Sequence, residues 1–388
     1  MADGPVSHRR AKMIPSVLVE VMESGEGTPD AERVYSPIAT LVGPASEPAP
    51  AINDAASNVE VVSESTVAIE AECGIWEGIF TLAKLGWGNI GVVDEIYERW
   101  SEMADLPLEE ASLDRGSPVT EAERDNIPKL REAILRKLGL SAPPSGFPSH
   151  HFTPWKLLCM LRAREGDVER AAERAVLCIP SVELIFNHAR AFEAAPAEHR
   201  RLRQMKINAG LFGIDRRGAP VFYSRFGRSD TPGLALRTSI GFMLASEFYM
   251  NLMIWESGRL ASERRGVSLQ GSLFVLDISG LGMSQAYSAY KVVKQMLSDP
   301  AYAEGEHPMP EGMRKTLVCG AASWIGRIWT LVKPLLPTRT ANKVSLFRAD
   351  HQDDFLQELL SRVDADQIPQ WCGGQATEPW PYGPPETT

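Results

Sequence analysis

Ser284, Asp350 and His351 are the residues whose types and chain order could support nucleophilic catalysis. Ser284 stands in the run Gly282-Met-Ser-Gln-Ala286 after a strand-like segment, and the acid and the imidazole follow it in the order of one class of hydrolase. However, the second glycine of the nucleophile turn is missing, and the serine lies several residues beyond the predicted strand end. A helix-capping role explains Ser284 more simply, so we do not expect an enzyme.

The cysteines predict neither a metal site nor a disulfide framework. They are odd in number and widely spaced, and no Cys-x-x-Cys pair is present. Four of the five fall in helix or strand patterns, which is typical of buried free thiols. We therefore expect no metal and a reducing, cytoplasmic environment. The five are Cys73, Cys159, Cys178, Cys319 and Cys372.

Charge is distributed unevenly along the 388 residues. Residues 1–125 carry a net charge of −16 and the remainder +6. Basic side chains form two clusters in the second part. They either make transient contact with an anionic membrane surface or are ordinary solvated faces of a helix and a loop. Nucleic acid is not expected, because the clusters lack interleaved aromatic residues and the whole chain is acidic. The clusters are Arg200, Arg201, Arg203 and Lys206, then Arg216, Arg217, Arg225 and Arg228.

Three short apolar runs predict the strands of an α/β sheet. They are Ser272–Asp277, Thr316–Ala322 and Val344–Phe347, each of a length typical of buried strands. The segment between the last two, Trp324–Leu336, is richer in bulky apolar residues than a connecting helix needs. We expect this helix to form a wall or lid over an apolar cavity.

The chain divides into five segments. Residues 1–72 are rich in Ala, Pro, Ser and Glu and are predicted to lack fixed structure. Residues 73–119 contain a dense aromatic and apolar stretch over 74–100, which predicts a helical docking segment or a site for a protein partner. Residues 120–205 read as helices, 206–375 as the α/β domain, and 376–388 as a tail.

Local signals place the ends of these predicted helices. Thr120 and Glu123 form a capping-box pattern, and Asp167 is a predicted N-cap. Pro180 is predicted to interrupt the helix that Asp167 opens.

Several motifs in this order resemble the CRAL-TRIO lipid-binding domain of phosphatidylinositol and phosphatidylcholine transfer proteins. The resemblance extends over residues 126–375. It implies a mixed sheet flanked by helices around an apolar lipid pocket, preceded by a small all-α N-terminal region. The matching segments are Lys156–Arg164, Gly166–Ala172, Gly213–Tyr223, Phe274–Gly280, Leu335–Val344 and Ile368–Gly374.

The resemblance also implies a lipid headgroup site. In members that bind phosphatidylinositol, a Glu before the central strand and a Thr-x-x-Lys after the gate helix contact the inositol phosphate; Glu311, Thr340 and Lys343 match them. Two further headgroup candidates follow from family positions, Arg164 at the end of the helical motif and Ser272 on the strand.

Two positions depart from the family pattern. The helical motif normally ends Arg-Lys, and here it ends Arg164-Glu165, so a neighbour such as Arg339 or Arg162 would have to replace the missing cation. Members that bind phosphatidylcholine carry two hydroxyl residues on the strand, and this chain has Ser272 but Phe274. These positions favour phosphatidylinositol over phosphatidylcholine.

The expected function is to hold a phospholipid in an apolar pocket and to exchange it at membranes by movement of the gate helix. Burial of acyl chains gains about 0.8 kcal/mol per methylene, so a closed pocket can compete with a bilayer. The predicted gate and pocket residues are Ile328, Trp329, Val332, Leu335, Leu336 and Phe274. Two alternatives remain open: a lipid-regulated sensor or scaffold, and a carrier of a sterol, tocopherol or retinoid.

Overall fold

The computed structural model describes residues 91–101, 106–108, 119–143, 149–269, 271–282, 299, 308–333 and 341–377. The chain divides into two units, Met1–Cys73 and Gly74–Thr388, and all of the described residues belong to the second. The predictions for residues 1–72 therefore lie outside the described residues, as does most of the predicted tail.

The described residues contain nine helices of five or more residues. Five precede the sheet: α1 (Val92–Ser101), α2 (Glu121–Lys137), α3 (Pro154–Ala163), α4 (Val168–Ala194) and α5 (Ala197–Lys206). The remaining four lie among and after the strands: α6 (Thr231–Ala235), α7 (Ile240–Arg265), α8 (Ser323–Val332) and α9 (Gln352–Leu360).

Capping signals in the sequence fix the starts of α2 and α4. The Thr120 hydroxyl accepts from the Glu123 amide at 3.1 Å, and the Glu123 carboxylate accepts from the Thr120 amide at 2.9 Å, which completes the predicted capping box. Asp167 caps α4 as predicted, accepting from the Arg170 amide at 3.0 Å.

The prediction that Pro180 interrupts a helix is wrong, because α4 runs through it from Val168 to Ala194. Proline has no amide hydrogen and so forgoes one bond to the preceding turn. Buried residues on both sides of it, including Cys178 and Val182, pack against other helices and hold the helix together.

Five strands form one mixed sheet in the order β1-β2-β3-β4-β5. Their bounds are β1 Ala209–Ile214, β2 Pro220–Arg225, β3 Ser272–Asp277, β4 Met313–Ala321 and β5 Val344–Arg348. β1 and β2 are antiparallel, and the other neighbouring pairs are parallel. This mixed sheet flanked by helices is the predicted fold class.

The sheet separates two apolar cores. On one face, Val221, Leu273 and Leu317 pack against α9 and the chain that follows it. On the other face, Leu211 and Phe222 pack toward α4 and α7. A third core joins α2, α3 and the first half of α4. Because the second half of α4 belongs to the sheet-facing core, the helical region and the α/β region share a helix.

Helix α1 docks on α4 and α7. Its buried side chains Val93, Ile96 and Trp100 join the core of those two helices. The Glu193 carboxylate of α4 accepts from the Gly91 amide at 3.2 Å and from the Val93 amide at 3.0 Å, so α4 caps the start of α1. At the other end of α1, Trp100 Nε1 donates to buried Glu256 at 2.6 Å.

Candidate functional site

One face of the sheet carries a strip of partly exposed apolar side chains. Strand register aligns Phe222 with Phe274 and Thr316 in one row, and Leu276 with Val318 in the next. On the opposite face Leu273, Val275 and Leu317 are fully buried. We call this set the apolar strip; its members are Phe222, Phe274, Leu276, Val318, Val344 and Leu346, all of intermediate exposure.

The apolar strip can receive an apolar ligand. The Phe222 and Phe274 rings lie 5.2 Å apart and form its inner end next to the core of α4 and α7. Six partly exposed apolar side chains on one sheet face exceed what a solvated sheet normally carries. The predicted pocket residue Phe274 therefore lies on the face where such a ligand would bind.

The predicted gate helix is described only in part. Helix α8 begins at Ser323 and is described through Val332, and it contacts β5. Trp329 is partly buried on this helix, whereas the side chains of Ile328 and Val332 are not described. Leu335 and Leu336 lie outside the described residues.

Glu311 and Lys343 come together at the edge of the sheet. Glu311 lies in the turn before β4 with a positive φ of 62°, and Lys343 immediately precedes β5. Because β4 and β5 are parallel, their starts share one edge, and the Thr316 amide donates to the Lys343 carbonyl at 2.8 Å. The Lys343 ammonium forms an ion pair with the Glu311 carboxylate, and both side chains are mostly buried. Thr340 lies outside the described residues.

Helix α3 borders this pair. Burial raises the pKa of the Cys159 thiol to about 12, and Glu311 adds to the effect, while Lys156, Lys343 and Arg162 oppose it. These charges therefore lie near one another around the thiol. A thiol with such a pKa stays protonated and is structural.

The sequence proposed Arg162 as a substitute for the cation lost at Glu165. Arg162 instead pairs with Glu123, through Nε to Oε1 at 2.7 Å and Nη2 to Oε2 at 3.1 Å. In this bidentate ion pair the Arg162 guanidinium binds a carboxylate of the protein itself, and not a lipid phosphate. The other named substitute, Arg339, lies outside the described residues.

Arg164 and Glu165 form the turn that ends α3. Arg164 is the C-cap residue, and its Nη1 donates to the Ala163 carbonyl at 3.0 Å. Glu165 and Gly166 both have positive φ, 55° and 85° respectively, which returns the chain toward α4. Glu165, which stands where the family pattern has a lysine, therefore lies in the turn after α3, next to Arg164.

A cavity of about 60 Å³ lies at the amino ends of β3 and β4. Ser272, the first residue of β3, is buried and lines it. Ser272 shares its sheet face with Phe274, so the cavity adjoins the inner end of the apolar strip. Its described lining residues are Trp100, Thr153, Trp155, Lys156, Ala219, Ile254, Trp255, Gly258, Arg259, Ser262, Ser268, Leu269, Gly271, Ser272, Met309 and Gly312.

Sequence reasoning missed Lys156, a charged residue in this cavity. Its side chain is buried, and Nζ donates to the Pro308 carbonyl at 2.9 Å. Burial lowers the pKa of Lys156 to about 8. A signal was present: Lys156 stands three residues before Cys159, a residue that the helical pattern predicts to be buried.

The hydrolase alternative gains no support from the described residues. Ser284 lies outside them, His351 Nδ1 lies 2.9 Å from Asp354, and Asp350 pairs with Arg348 at 2.7 Å. In the part of the chain that the structure describes, no His, Cys, Asp and Glu cluster could hold a metal ion. Within those same residues, no helix has the length and hydropathy needed to cross a membrane. The four described cysteines are buried and form no disulfide bond.

The basic clusters are not uniformly solvated, which corrects their prediction as surface contacts. Arg203, Arg217 and Arg225 are buried. Arg225 lies over the Trp371 ring at 4.9 Å, and Arg217 pairs with buried Asp215 at 3.2 Å. A guanidinium on a long apolar stem can pack inside a protein when its planar head is partnered.

Other members of these clusters are also partnered. Lys206 pairs with Asp230, and Arg216 with Asp364 at 3.0 Å. Arg200 donates to the Ala195 carbonyl at 2.7 Å. Arg201 and Arg228 are exposed and remain candidates for a membrane-facing surface.

Curated proteins similar to this chain are named as lipid transfer proteins or as a cytosolic factor. Phosphatidylinositol/phosphatidylcholine transfer protein SFH4 of Arabidopsis thaliana is 25% identical over 43% of this chain and 26% of its own length. The transfer protein SFH11 of the same plant is 25% identical over 43% of each chain. This chain thus spans less than half of either relative.

Two further comparisons cover more of the chain. The SEC14 cytosolic factor of Candida glabrata is 22% identical over 65% of this chain and 80% of its own length. A solved structure entitled "Crystal structure of Sfh5" aligns over 68% of this chain and 91% of its own, with a TM-score of 0.43 and 12% identity.

A family model described as the CRAL/TRIO domain matches residues 204–374. The matched segment holds the whole sheet, the apolar strip and the Glu311–Lys343 pair, whereas α1 to α4 precede it. For residues 204–374, this match confirms the resemblance to the CRAL/TRIO domain that the sequence motifs predicted.

Proposed function

We propose that this chain binds a phospholipid and transfers it between membranes, with phosphatidylinositol as its cargo and without catalysing a reaction. The observation that carries the proposal is the apolar strip. Its apolar side chains are partly exposed on one face of the sheet, whereas the apolar side chains on the opposite face are buried. The names of the curated relatives, and the CRAL/TRIO match, support the same class of ligand.

The acyl chains would lie along the apolar strip, whose rows run across β2 to β5. Each buried methylene contributes about 0.8 kcal/mol, so two acyl chains supply enough binding free energy to compete with a bilayer. Helix α8, with Trp329 on its partly buried side, would cover them. Residues Ile328, Val332, Leu335 and Leu336 complete this proposed gate.

The headgroup would bind at the Glu311–Lys343 pair. A phosphodiester would take the Lys343 ammonium, and the inositol hydroxyls would donate to the Glu311 carboxylate. The existing ion pair then opens, and both partners keep a charged or polar contact, so neither is left buried and unpaired. Thr340, Arg164 and Ser272 are the other proposed headgroup contacts.

Exchange would occur at a membrane, by outward movement of α8. The proposed location is the cytoplasm with transient contact to anionic membranes, where Arg201 and Arg228 offer exposed positive charge. A protein partner for the segment 74–100 would have to use residues other than Val92, Val93, Ile96 and Trp100, which the chain buries in its own core.

Native mass spectrometry of the protein purified from a eukaryotic host tests the proposal. We expect co-purifying phosphatidylinositol, and its loss in Lys343→Ala. Arg348→Ala is the matched control, since Arg348 is an exposed cation at the other end of β5. A sterol or another apolar molecule in place of phospholipid would move the ligand class to the second alternative.

Transfer is tested separately from binding. Trp329→Asp should abolish movement of labelled phosphatidylinositol between vesicles while leaving the far-ultraviolet circular dichroism unchanged. Transfer at the wild-type rate would refute the gate. Lipid that is bound but not moved by the wild-type protein would favour the sensor or scaffold.

A further inference from the structure

Lys156 is a buried cation whose hydrogen-bond partner is a backbone carbonyl, whereas the cations near it pair with carboxylates. Arg162 pairs with Glu123, Lys343 with Glu311, and Arg259 with Glu256. In the part of the chain that the structure describes, the hydrogen bond of the Lys156 Nζ goes to a backbone carbonyl, that of Pro308. An ammonium has three donors, and a carbonyl supplies no full negative charge. A buried ammonium in this position calls for an anion.

The start of α3 adds positive potential at the same place. Lys156 lies in the first turn of α3, after the N-cap residue Thr153, and this turn contains no acidic residue. Helix N-termini carry partial positive charge and are commonly occupied by acids, so a lysine there is unfavourable by itself. An anion next to Lys156 would satisfy both the ammonium and the helix end.

The cavity beside Lys156 has the lining that an amphiphilic anion needs. Among its described lining residues there is no Asp or Glu. Trp100, Trp155 and Trp255 give it apolar walls, and Ser272 brings a hydroxyl. Trp155 Nε1 is a buried donor that has no hydrogen-bond partner in the described part of the chain. Its volume of about 60 Å³ holds roughly four waters, enough for a phosphate group but not for acyl chains.

We propose that this cavity binds a phosphate group through the Lys156 ammonium, with the Ser272 hydroxyl and Trp155 Nε1 as additional donors. With a lipid as the source of the phosphate, this inference rests on the proposed function and adds Lys156 to Lys343 as a second cation for the same phosphodiester, since both lysines act on the Cys159 thiol between them. Lys156 then supplies, from the start of α3, the positive charge that Glu165 removes at the end of the same helix.

Lipid loading and phosphate binding test the assignment with the full chain. Protein is incubated with phosphatidylcholine vesicles containing a minor fraction of phosphatidylinositol, separated from them, and its bound lipid is measured by native mass spectrometry. Lys156→Met keeps the length of the side chain and removes its charge. Lys129→Met is the matched control, since Lys129 is exposed on α2. In parallel, inorganic phosphate is added to each protein and the melting temperature is recorded.

We expect Lys156→Met to retain the wild-type circular dichroism and to lose phospholipid loading by roughly tenfold or more, the effect of one strong charged hydrogen bond, while Lys129→Met loads normally. Equal loading by the two variants would overturn the role of Lys156 and leave the lipid function standing. If no protein loads lipid, and phosphate raises the melting temperature of the wild type but not of Lys156→Met, the site binds free phosphate and the lipid function fails. If neither lipid nor phosphate binds, both proposals fail.

Discussion

Replacing Lys156 by methionine should make the unliganded protein more stable. The lysine is fully buried, and desolvation lowers its pKa from 10.5 to about 8. This difference between the unfolded and folded pKa corresponds to about 3 kcal/mol of free energy that opposes folding when the ammonium is charged. Methionine has a similar length, no charge, and a flexible stem that fits irregular space.

The net gain is smaller than this figure, because the hydrogen bond to the Pro308 carbonyl is lost. That bond has a length of 2.9 Å, and removing its donor costs about 1 kcal/mol. We therefore expect Lys156→Met to raise the free energy of unfolding by about 2 kcal/mol at neutral pH. Urea denaturation of both proteins, followed by circular dichroism, measures the difference.

The pH dependence has a defined sign. Below pH 8 Lys156 is charged in both the folded and unfolded states, so the full cost of burial is present. Between pH 8 and 10.5 the unfolded chain binds more protons than the folded one, so wild-type stability rises with pH relative to Lys156→Met. The charged and titratable groups that interact with Lys156 are Cys178, Cys159 and Arg174. Comparison with the variant cancels their own contribution to the pH dependence where they titrate alike in both proteins.

Two results would refute the reasoning. A variant that unfolds at lower urea than the wild type at neutral pH would show that the ammonium stabilises the unliganded fold. A stability difference that stays constant through the alkaline range would show that the folded pKa of Lys156 is not lowered. A gain in stability together with a loss of phosphate binding would identify Lys156 as a residue retained for its ligand.

Three further predictions follow from burial and hydrogen bonding. Val318→Asp on the apolar strip should reduce lipid loading with little loss of fold, whereas Leu317→Ala on the opposite face should lower the free energy of unfolding by roughly 2–5 kcal/mol; urea denaturation and lipid loading of both variants decide this. Glu193→Ala removes the acceptor for the start of α1 and should speed hydrogen exchange of residues 92–101 well beyond that of α2; unchanged exchange would exclude the capping role. Burial raises the pKa of Cys159 and of Cys319 to about 12, so thiol reagents should modify them only after denaturation; rapid labelling of either in the native protein would contradict their burial.

Predictions that used local signals reproduced elements of the fold closely. The run Ser272–Asp277 has the same bounds as β3, and the Thr120–Glu123 capping box begins α2 as expected. Both depend on residues adjacent in sequence, where side-chain type decides the conformation. Pro180 is the counterexample, since its local preference was overridden by packing on both sides of α4.

Only those residues of the candidate site that belong to a recognisable sequence motif could be predicted. The motif resemblance pointed to Glu311 and Lys343, which the structure pairs across 32 residues. The environment of Lys156 depends on the approach of Pro308, 152 residues later, and no spacing pattern encodes that contact. Burial of Arg217 likewise depends on a distant contact, since its Nη2 donates to the Gly271 carbonyl, 54 residues later, at 3.2 Å.

The capping of α1 by Glu193 has a consequence for biosynthesis. α1 has 10 residues, too few to persist in water without tertiary contacts. Its amide acceptor lies 100 residues further along the chain, and the acceptor for Trp100 lies 156 residues further. At a translation rate of about 5–20 residues per second, the ribosome needs roughly 8–30 s to synthesise the 156 residues between Trp100 and Glu256. During this interval Trp100 and its apolar neighbours on α1 are exposed on the nascent chain. We therefore expect a chaperone to bind this segment before the domain is complete and can bind lipid.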